Sequence, residues 1–236
     1  MPQVHGTVYE AIEKLRSVVE TEINSTTDNP LFDFENEGPE GELLFASGAN
    51  FHGQPLAVAI DYLKIALTSL GLMTDKRTFS LLDEKMSYGL PAGLAHDTSK
   101  ADGGLMICQY AGAARAAENR ILSGPASITS VSTSANQEDF VSMGSFGALH
   151  LQKVIYNVQT LVGIEVLCAL RGLQMTYDKL PENLQGLGKG TQLVFDFLSK
   201  EENLPPVFED RYLRLDMERA IELVNSQQLL KIISNS

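Results

Sequence analysis

The densest cluster of polar side chains in the sequence runs from Ser132 to Gly144 and reads STSANQEDFVSMG. Ser134 and Gln137 have the spacing of a capping box, in which two side chains satisfy free backbone N–H groups at the start of a helix. Glu138 and Asp139 would then lie in the first helical turn, where the helix dipole favours negative charge. Two interpretations follow. Spacing alone favours a helix cap, whereas the functional alternative is an ionised carboxylate that binds a cationic or imidazole-bearing ligand.

A second polar cluster, Asn50 to Pro55, reads NFHGQP and also precedes an apolar helical pattern. Its glycine and proline favour a turn, and Asn50 is a suitable helix cap. Taken alone, His52 is more often a hydrogen-bonded loop residue than a catalytic base. The four histidines of the chain lack the spacing of metal ligands, so the sequence predicts no metal site.

Apolar residues that recur at spacings of three and four predict a row of helices with no convincing strand between them. We therefore expect an all-α chain that forms a single helical portion over residues 1–236, with an acidic loop from Asp33 to about Asn50. The predicted helices are about Val4–Ile23, Pro55–Asp83, Gly104–Leu122, Asn136–Leu173, Gln192–Lys200, Arg214–Asn225 and Gln227–Ile233.

The longest predicted helix carries apolar residues almost all round between Ile155 and Leu173. A helix that is apolar on every side must be buried on every side. We expect a few short helices of one chain to be insufficient to cover so long a rod. The pattern therefore predicts contacts between subunits and hence a homo-oligomer.

Composition excludes several partners. The 236 residues carry a formal net charge of −12, which argues against nucleic acid or an anionic membrane as the binding partner. The apolar run from Leu56 to Met73 is interrupted by Asp61 and Lys64, so it predicts a core helix rather than a membrane span. Cys108 and Cys168 each stand alone in an apolar pattern, as reduced core thiols of a cytoplasmic protein do.

Several motifs, taken in order, resemble one family. The segments PQVHG, EINSTTDNPL, NFHGQP, MICQY, ENRIL and TSANQEDFVSMG occur along nearly the whole chain. In this order they resemble the histidine ammonia-lyases and their aromatic amino-acid relatives. The resemblance implies a long-helix bundle of the ammonia-lyase (fumarase/aspartase-like) type, assembled as a homotetramer. It aligns this chain with the C-terminal portion of such an enzyme, without the N-terminal half that forms the cofactor.

The chemistry implied by the resemblance uses an electrophilic methylidene-imidazolone group, which forms by cyclisation of an Ala-Ser-Gly triplet. That triplet and the base tyrosine belong to the family's N-terminal half, so we expect no cofactor in this chain. The chain does contain Ala46-Ser47-Gly48. Cyclisation requires a strained, enclosed turn, and these residues follow an acidic loop, so we predict that they do not form the group.

Three residues carry over to this sequence from the resemblance. Phe51 matches the aromatic wall beside the electrophile, Glu138 matches a catalytic carboxylate that handles the histidine substrate, and Gln137 is its polar neighbour in substrate binding. Phe140 departs from the pattern, because histidine lyases usually carry histidine there.

The function implied by the resemblance is part of an enzyme that eliminates ammonia from L-histidine to give urocanate, with a separate N-terminal subunit as a possible partner. The alternatives are part of a phenylalanine or tyrosine lyase or aminomutase, and a non-catalytic helical assembly module.

Overall fold

The computed structural model describes residues 1–48, 50–97, 99, 102–181, 185–206 and 211–234. Within these ranges most residues lie in α-helices, which confirms the all-α class. Three short 3₁₀ turns, at Ala92–Leu94, Ser134–Asn136 and Tyr177–Lys179, lie between them. The helices are α1 Pro2–Ile23, α2 Gln54–Leu82, α3 Met106–Leu122, α4 Gly144–Thr176, α5 Lys189–Leu198, α6 Arg214–Asn225 and α7 Gln228–Ser234.

The predicted acidic loop after α1 is instead a small antiparallel hairpin. Strand β1 covers Leu31–Glu37 and β2 covers Leu43–Ala46, with Phe32 opposite Phe45. The ring centroids of these two phenylalanines lie 6.5 Å apart. The period-two alternation that specifies a strand extends over only a few residues here and is followed by acidic ones, so the sequence pattern did not reveal it.

The described chain divides into two compact units, and α2 and α4 each contribute one part to each unit. Unit 1 comprises Met1–Leu67 and Leu122–Val154. Within it the first part of α4 packs closely on α2 at Gly147, where an added Cβ would lie 3.3 Å from Ile60 Cγ2. Helix α1 contributes only Val8 and Ala11 to the buried core. Most of its predicted apolar face is therefore open in this chain.

Unit 2 comprises Thr68–Ile121 and Ile155–Ser236. Its hydrophobic core joins α3, the second part of α4, α5 and α6 around Cys108, Ile164 and Leu223. Small residues allow the helices to approach closely. A Cβ added at Gly163 of α4 would lie 2.7 Å from the side chain and 2.9 Å from the backbone of Ile221 in α6, so only glycine fits there without displacement.

Helix α4 differs from its prediction in two ways. It begins at Gly144 rather than near Asn136, because the preceding residues form a strained loop that is described below. Its apolar stretch, predicted from Ile155 to Leu173, is also covered by the chain itself beyond its first two residues. Ile155 and Tyr156 are exposed, but no residue from Asn157 to Thr176 is. The expectation that one chain cannot bury this helix was therefore wrong, and the helix by itself does not require an oligomer.

By length and composition alone, α2 and α4 could each cross a membrane, but half or more of the most apolar window of each is buried within the chain. Helix α2 also buries a charged pair, Asp61 and Lys64, among the residues of unit 1. Ion pairing and burial inside the chain favour the core-helix interpretation.

Candidate functional site

The polar cluster forms an irregular loop, residues Val131–Met143, which we call the site loop. Thr133 and Glu138 form an antiparallel bridge in which the Thr133 N–H donates to the Glu138 carbonyl oxygen at 2.9 Å. The Ser134 side chain makes no capping hydrogen bond among the described residues, and Gln137 and Glu138 lie outside α4. The capping-box interpretation is therefore wrong.

The backbone of the site loop is strained at its tip. Ser134, Ala135 and Asn136 have φ angles of 50°, 56° and 71°, so three successive non-glycine residues adopt the left-handed conformation. That conformation costs roughly 1–2 kcal/mol per residue. Such strain persists only where the surrounding structure enforces it, and it concentrates at functional sites.

Two serines tie the sides of the site loop together. The Val141 N–H donates to Ser130 Oγ at 2.8 Å, and Ser132 Oγ donates to the Asp139 carbonyl oxygen at 3.3 Å. Together with the bridge between Thr133 and Glu138, these bonds hold the tip in its left-handed turn. The loop therefore presents Gln137 and Glu138 in a fixed backbone geometry.

His52 joins the NFHGQP segment to the site loop. The Gln54 backbone N–H donates to His52 Nδ1 at 3.2 Å, so Nδ1 must be an acceptor. The proton of the neutral ring is then on Nε2, which lies 3.0 Å from the Phe140 carbonyl oxygen and donates to it. The His52 and Phe140 rings are also stacked, with centroids 5.5 Å apart and an interplanar angle of 15°. His52, which follows Phe51, is thereby held against Phe140, which lies two residues after Glu138.

A second close contact joins the two segments at Gly53. A Cβ added at Gly53 would lie 3.1 Å from Ser142 Oγ, and the same hydroxyl accepts a hydrogen bond from the Gly144 N–H at 3.3 Å. The start of α2 and the start of α4 therefore meet at Ser142. A Cβ at position 53 would require Ser142 to shift by a few tenths of an ångström.

A buried ion pair fixes the segment that enters the site loop. Lys64 Nζ lies 2.8 Å from Asp61 Oδ1 and donates to the Gly124 carbonyl oxygen at 2.9 Å. The Ala126 and Ser127 N–H groups donate to the two Asp61 oxygens at 3.1 and 2.8 Å. Burial alone would raise the pKa of Asp61, but its hydrogen bonds with Lys64 and with Ser127 and Ala126 together hold it below its ordinary value.

Sequence reasoning missed the role of this pair and used it only as an interruption of an apolar run. The i,i+3 spacing of two opposite charges on an otherwise apolar helix is the signal that could have revealed it.

The three predicted site residues lie at the surface of unit 1. Every residue from Val131 to Phe140 is exposed, and Phe51 is 58% exposed. Within the described ranges, no hydrogen bond engages the side chain of Gln137 or Glu138. An unengaged amide beside an unengaged carboxylate, on a loop of fixed geometry, is an arrangement that can receive a cationic or hydrogen-bond-donating ligand. His52 brings the segment that contains Phe51 together with the site loop that contains Gln137 and Glu138. The roles of these three residues stay predictions.

The triplet Ala46-Ser47-Gly48 does not provide an enclosed turn. Ala46 ends β2, all three residues are exposed, and a Cβ added at Gly48 would meet nothing within 4 Å. Cyclisation requires the strained enclosure that these residues lack. They therefore do not fit the formation of a methylidene-imidazolone group. The described part of the chain also contains no cluster of three histidine, cysteine or carboxylate side chains arranged to hold a metal ion.

Comparison with known proteins gives a consistent set of relatives. The sequence model of the aromatic amino acid lyases matches residues 1–200. The chain is 43% identical to the histidine ammonia-lyase of Deinococcus radiodurans, over 98% of its own length and 41% of that protein.

Two solved structures are similar in fold and in sequence. The histidine ammonia-lyase of Trypanosoma cruzi has a TM-score of 0.84 and 35% identity, over 99% of this chain and 43% of that one. The tyrosine aminomutase of Streptomyces globisporus has a TM-score of 0.87 and 32% identity, over 99% and 42%. The chain thus spans about two fifths of the length of the proteins that it matches.

Proposed function

Because the chain belongs to the aromatic amino acid lyase family, we propose that it is the C-terminal part of an ammonia-lyase that converts L-histidine to urocanate and ammonia. The observation that carries the proposal is the Glu138 carboxylate, which is exposed and unengaged on a loop held in a strained conformation. An exposed carboxylate carried by a backbone that is held in place suits a substrate with an imidazole ring and an ammonium group. The likeness to proteins named histidine ammonia-lyase supports this choice of substrate.

The residues of this chain would bind and orient the substrate. Glu138 would accept a hydrogen bond or a proton from the imidazole at a carboxylate oxygen, as a general base does. Gln137 would supply a neutral donor and acceptor beside it, and Phe51 would exclude water as an apolar wall. When present, a methylidene-imidazolone group supplies the electrophile. Since Ala46-Ser47-Gly48 does not fit that role, we propose that the group comes from residues outside this chain.

A second substrate class has support from one observation. The tyrosine aminomutase of Streptomyces globisporus is as similar in fold as the histidine ammonia-lyase of Trypanosoma cruzi. By the resemblance, phenylalanine and tyrosine lyases carry glutamine at the position of Glu138, so the carboxylate favours histidine. Tyrosine and phenylalanine are therefore the competing substrates in the test.

The test combines this chain with an N-terminal portion taken from the Deinococcus radiodurans relative. We expect urocanate, followed by its absorbance, only when both parts are present, because the electrophile and the residues described here act as a unit. Turnover by this chain alone would contradict the proposal. Turnover of tyrosine or phenylalanine in preference to histidine would show that the substrate belongs to the second class, tyrosine and phenylalanine.

The Glu138→Gln variant tests the site. It removes the charge but keeps the shape, so turnover of histidine should fall by about 100-fold or more. Asp139→Asn is the matched control, because it removes a neighbouring carboxylate from the same exposed loop and should leave turnover within about twofold of the unsubstituted protein. If Glu138→Gln lowers the melting temperature and leaves turnover intact, Glu138 has a structural role and the catalytic assignment is wrong.

We also propose that the chain assembles as a cytoplasmic homotetramer. Support comes from apolar faces that are open in the single chain, on α1 and on the alanine-rich α3. They include Val4, Ile12 and Ile23 on the first and Ile107, Tyr110 and Ile121 on the second. Exposed apolar stripes of this kind normally mark interfaces. Light scattering at micromolar concentration should give about four times the mass of one chain, and a stable monomer would contradict the assembly.

A further inference from the structure

Unit 2 contains a cavity of about 770 Å³ at the C-terminal end of α4. Its walls come from the turn after α2, the end of α4 and the end of α5, including Pro91, Arg171, Gln174, Tyr177, Lys179 and Ser199. A volume of this size is in the range of small-molecule sites. None of the residues assigned above to the proposed active site lines it.

The feature that singles out this cavity is Arg171. Its side chain is on the cavity wall while the residue is only 6% exposed. Within the described ranges it donates no hydrogen bond, although a guanidinium group has five N–H donors. Burial lowers its pKa, the Asp102 carboxylate opposes that shift, and the Arg211 cation reinforces it. A buried cation without hydrogen bonds is costly unless an anion pairs with it.

The charged groups that act on Arg171 are engaged with other partners. The Asp102 carboxylate already accepts backbone N–H groups from His96 at 2.7 Å, Asp97 at 3.2 Å and Gly104 at 2.8 Å. Arg211 is paired with Asp216, with Nη2 2.6 Å from Oδ1. Among the described residues, Arg171 and Lys179 give the cavity lining two positive charges, and the Asp102 carboxylate that acts on Arg171 offsets one of them.

Neutral donors and an apolar wall complete the cavity. Gln174 Nε2 and Ser199 Oγ are buried atoms without a hydrogen-bond partner in the described part of the chain, and both residues line the cavity. The Tyr177 and Phe195 rings stack on each other at 5.6 Å and, with Met175, form an apolar side. One side of the cavity is therefore cationic and the other is aromatic.

We propose that this cavity binds a small monocarboxylate that carries a flat ring. The planar fork of Arg171 matches the two oxygens of a carboxylate, and the aromatic side offers a surface on which the ring stacks. A single net charge favours a monoanion over phosphate, which carries more charge. This site does not depend on the proposed lyase activity.

The test uses benzoate as the probe, with benzamide as its neutral counterpart and inorganic phosphate as a competing anion. In isothermal titration with the 236-residue chain, benzoate should bind saturably at one site per chain. Benzamide should bind at least about tenfold more weakly, since it lacks the charge that pairs with Arg171. Equal binding of benzamide, tighter binding of phosphate, or no binding of benzoate would each overturn the proposal.

The Arg171→Gln variant should weaken benzoate binding by at least about tenfold. Lys76→Gln is the control, because it removes an exposed positive charge from unit 2 outside the cavity and should leave the affinity unchanged. If Arg171→Gln fails to fold by circular dichroism, crystals of the unsubstituted chain soaked with 4-bromobenzoate decide the matter. Anomalous signal from bromine inside the cavity would support the proposal, and bromine elsewhere or nowhere would overturn it.

Discussion

Replacement of Lys64 by methionine should destabilise unit 1 more than any surface substitution. Lys64 is 0% exposed and Asp61 is 4% exposed, with 2.8 Å between Nζ and Oδ1. At an effective dielectric constant of ~20, this separation gives a gross attraction of about 6 kcal/mol. Much of that attraction is offset by the dehydration of both ions, so the pair contributes little net stability by itself.

Breaking the pair is a different matter, because Lys64→Met leaves the Asp61 charge buried and the Gly124 carbonyl oxygen without its donor. We expect a loss of about 3–5 kcal/mol in the free energy of unfolding at pH 7. For a chain of this length, that corresponds to a melting temperature lower by roughly 6–20 °C. Chemical and thermal unfolding followed by circular dichroism would measure both quantities.

The loss of stability in Lys64→Met should also depend on pH. In the unsubstituted chain the pKa of Asp61 is lowered below 3.8. Its contribution is therefore present above the unfolded pKa and lost as the pH falls through the lower folded value. In Lys64→Met the cation is gone and burial should raise the Asp61 pKa above its unfolded value. The variant should then lose less stability at pH 4.5 than at pH 7.

Arg16→Met is the matched control, since Arg16 forms an exposed pair with Glu13 at 3.5 Å. It should change the free energy of unfolding by no more than about 0.5 kcal/mol. If Lys64→Met lost less than about 1 kcal/mol at pH 7, the ion pair would not be what anchors the entry of the site loop. A loss that grew as the pH fell would refute the proposed rise in the Asp61 pKa.

Three further predictions concern strain, burial and close packing. Ala135→Gly should raise the free energy of unfolding by about 0.5–1 kcal/mol, because glycine relieves the strain of a left-handed φ of 56°. Ala117→Gly, on the exposed face of α3, should instead lower it by about 1 kcal/mol. Urea unfolding of both variants would distinguish the increase from the decrease. Cys108 and Cys168 should resist a thiol reagent at pH 8 in the folded chain and react with it in guanidinium. Burial raises the pKa of both thiols, that of Cys108 to about 11. Rapid labelling of the native chain would contradict this prediction. Gly163→Ala should lower the free energy of unfolding by about 1–3 kcal/mol, since its Cβ would lie 2.7 Å from an α6 side chain. No change in the same unfolding assay would show that α6 can shift at little energetic cost.

The positions of the helices could be predicted from the amino-acid sequence. Apolar spacings of three and four are a local property, so they located α1, α2 and α3 to within a few residues and α6 at its observed bounds of Arg214–Asn225. Motifs in order along the chain also pointed to the family that the comparisons support. These features can be predicted without knowledge of tertiary contacts, because they depend only on residues that are close together in sequence.

The conformation of the site loop could not be predicted from the sequence, because it depends on contacts in the folded chain. The spacing of Ser134 and Gln137 fits a helix cap, and nothing local distinguishes that cap from a left-handed turn. Hydrogen bonds within residues 130–141 hold the tip of the turn. Distant groups hold the segments on either side: His52 engages the Phe140 carbonyl oxygen from 88 residues away in sequence, and the Asp61 carboxylate accepts the Ser127 N–H from 66 residues away. A conformation that local propensity disfavours can form when the contacts it allows are more stabilising than the strain is destabilising.

Coverage of the long helix was likewise beyond the reach of the sequence. The apolar pattern after Ile155 showed that α4 must be buried, but not by what. Close approach depends on which small residue meets which neighbour, as Gly163 meets Ile221, and that pairing is a property of the folded chain. Periodicity therefore fixes which face of a helix is buried, whereas the identity of the covering surface is set by packing between segments far apart in sequence.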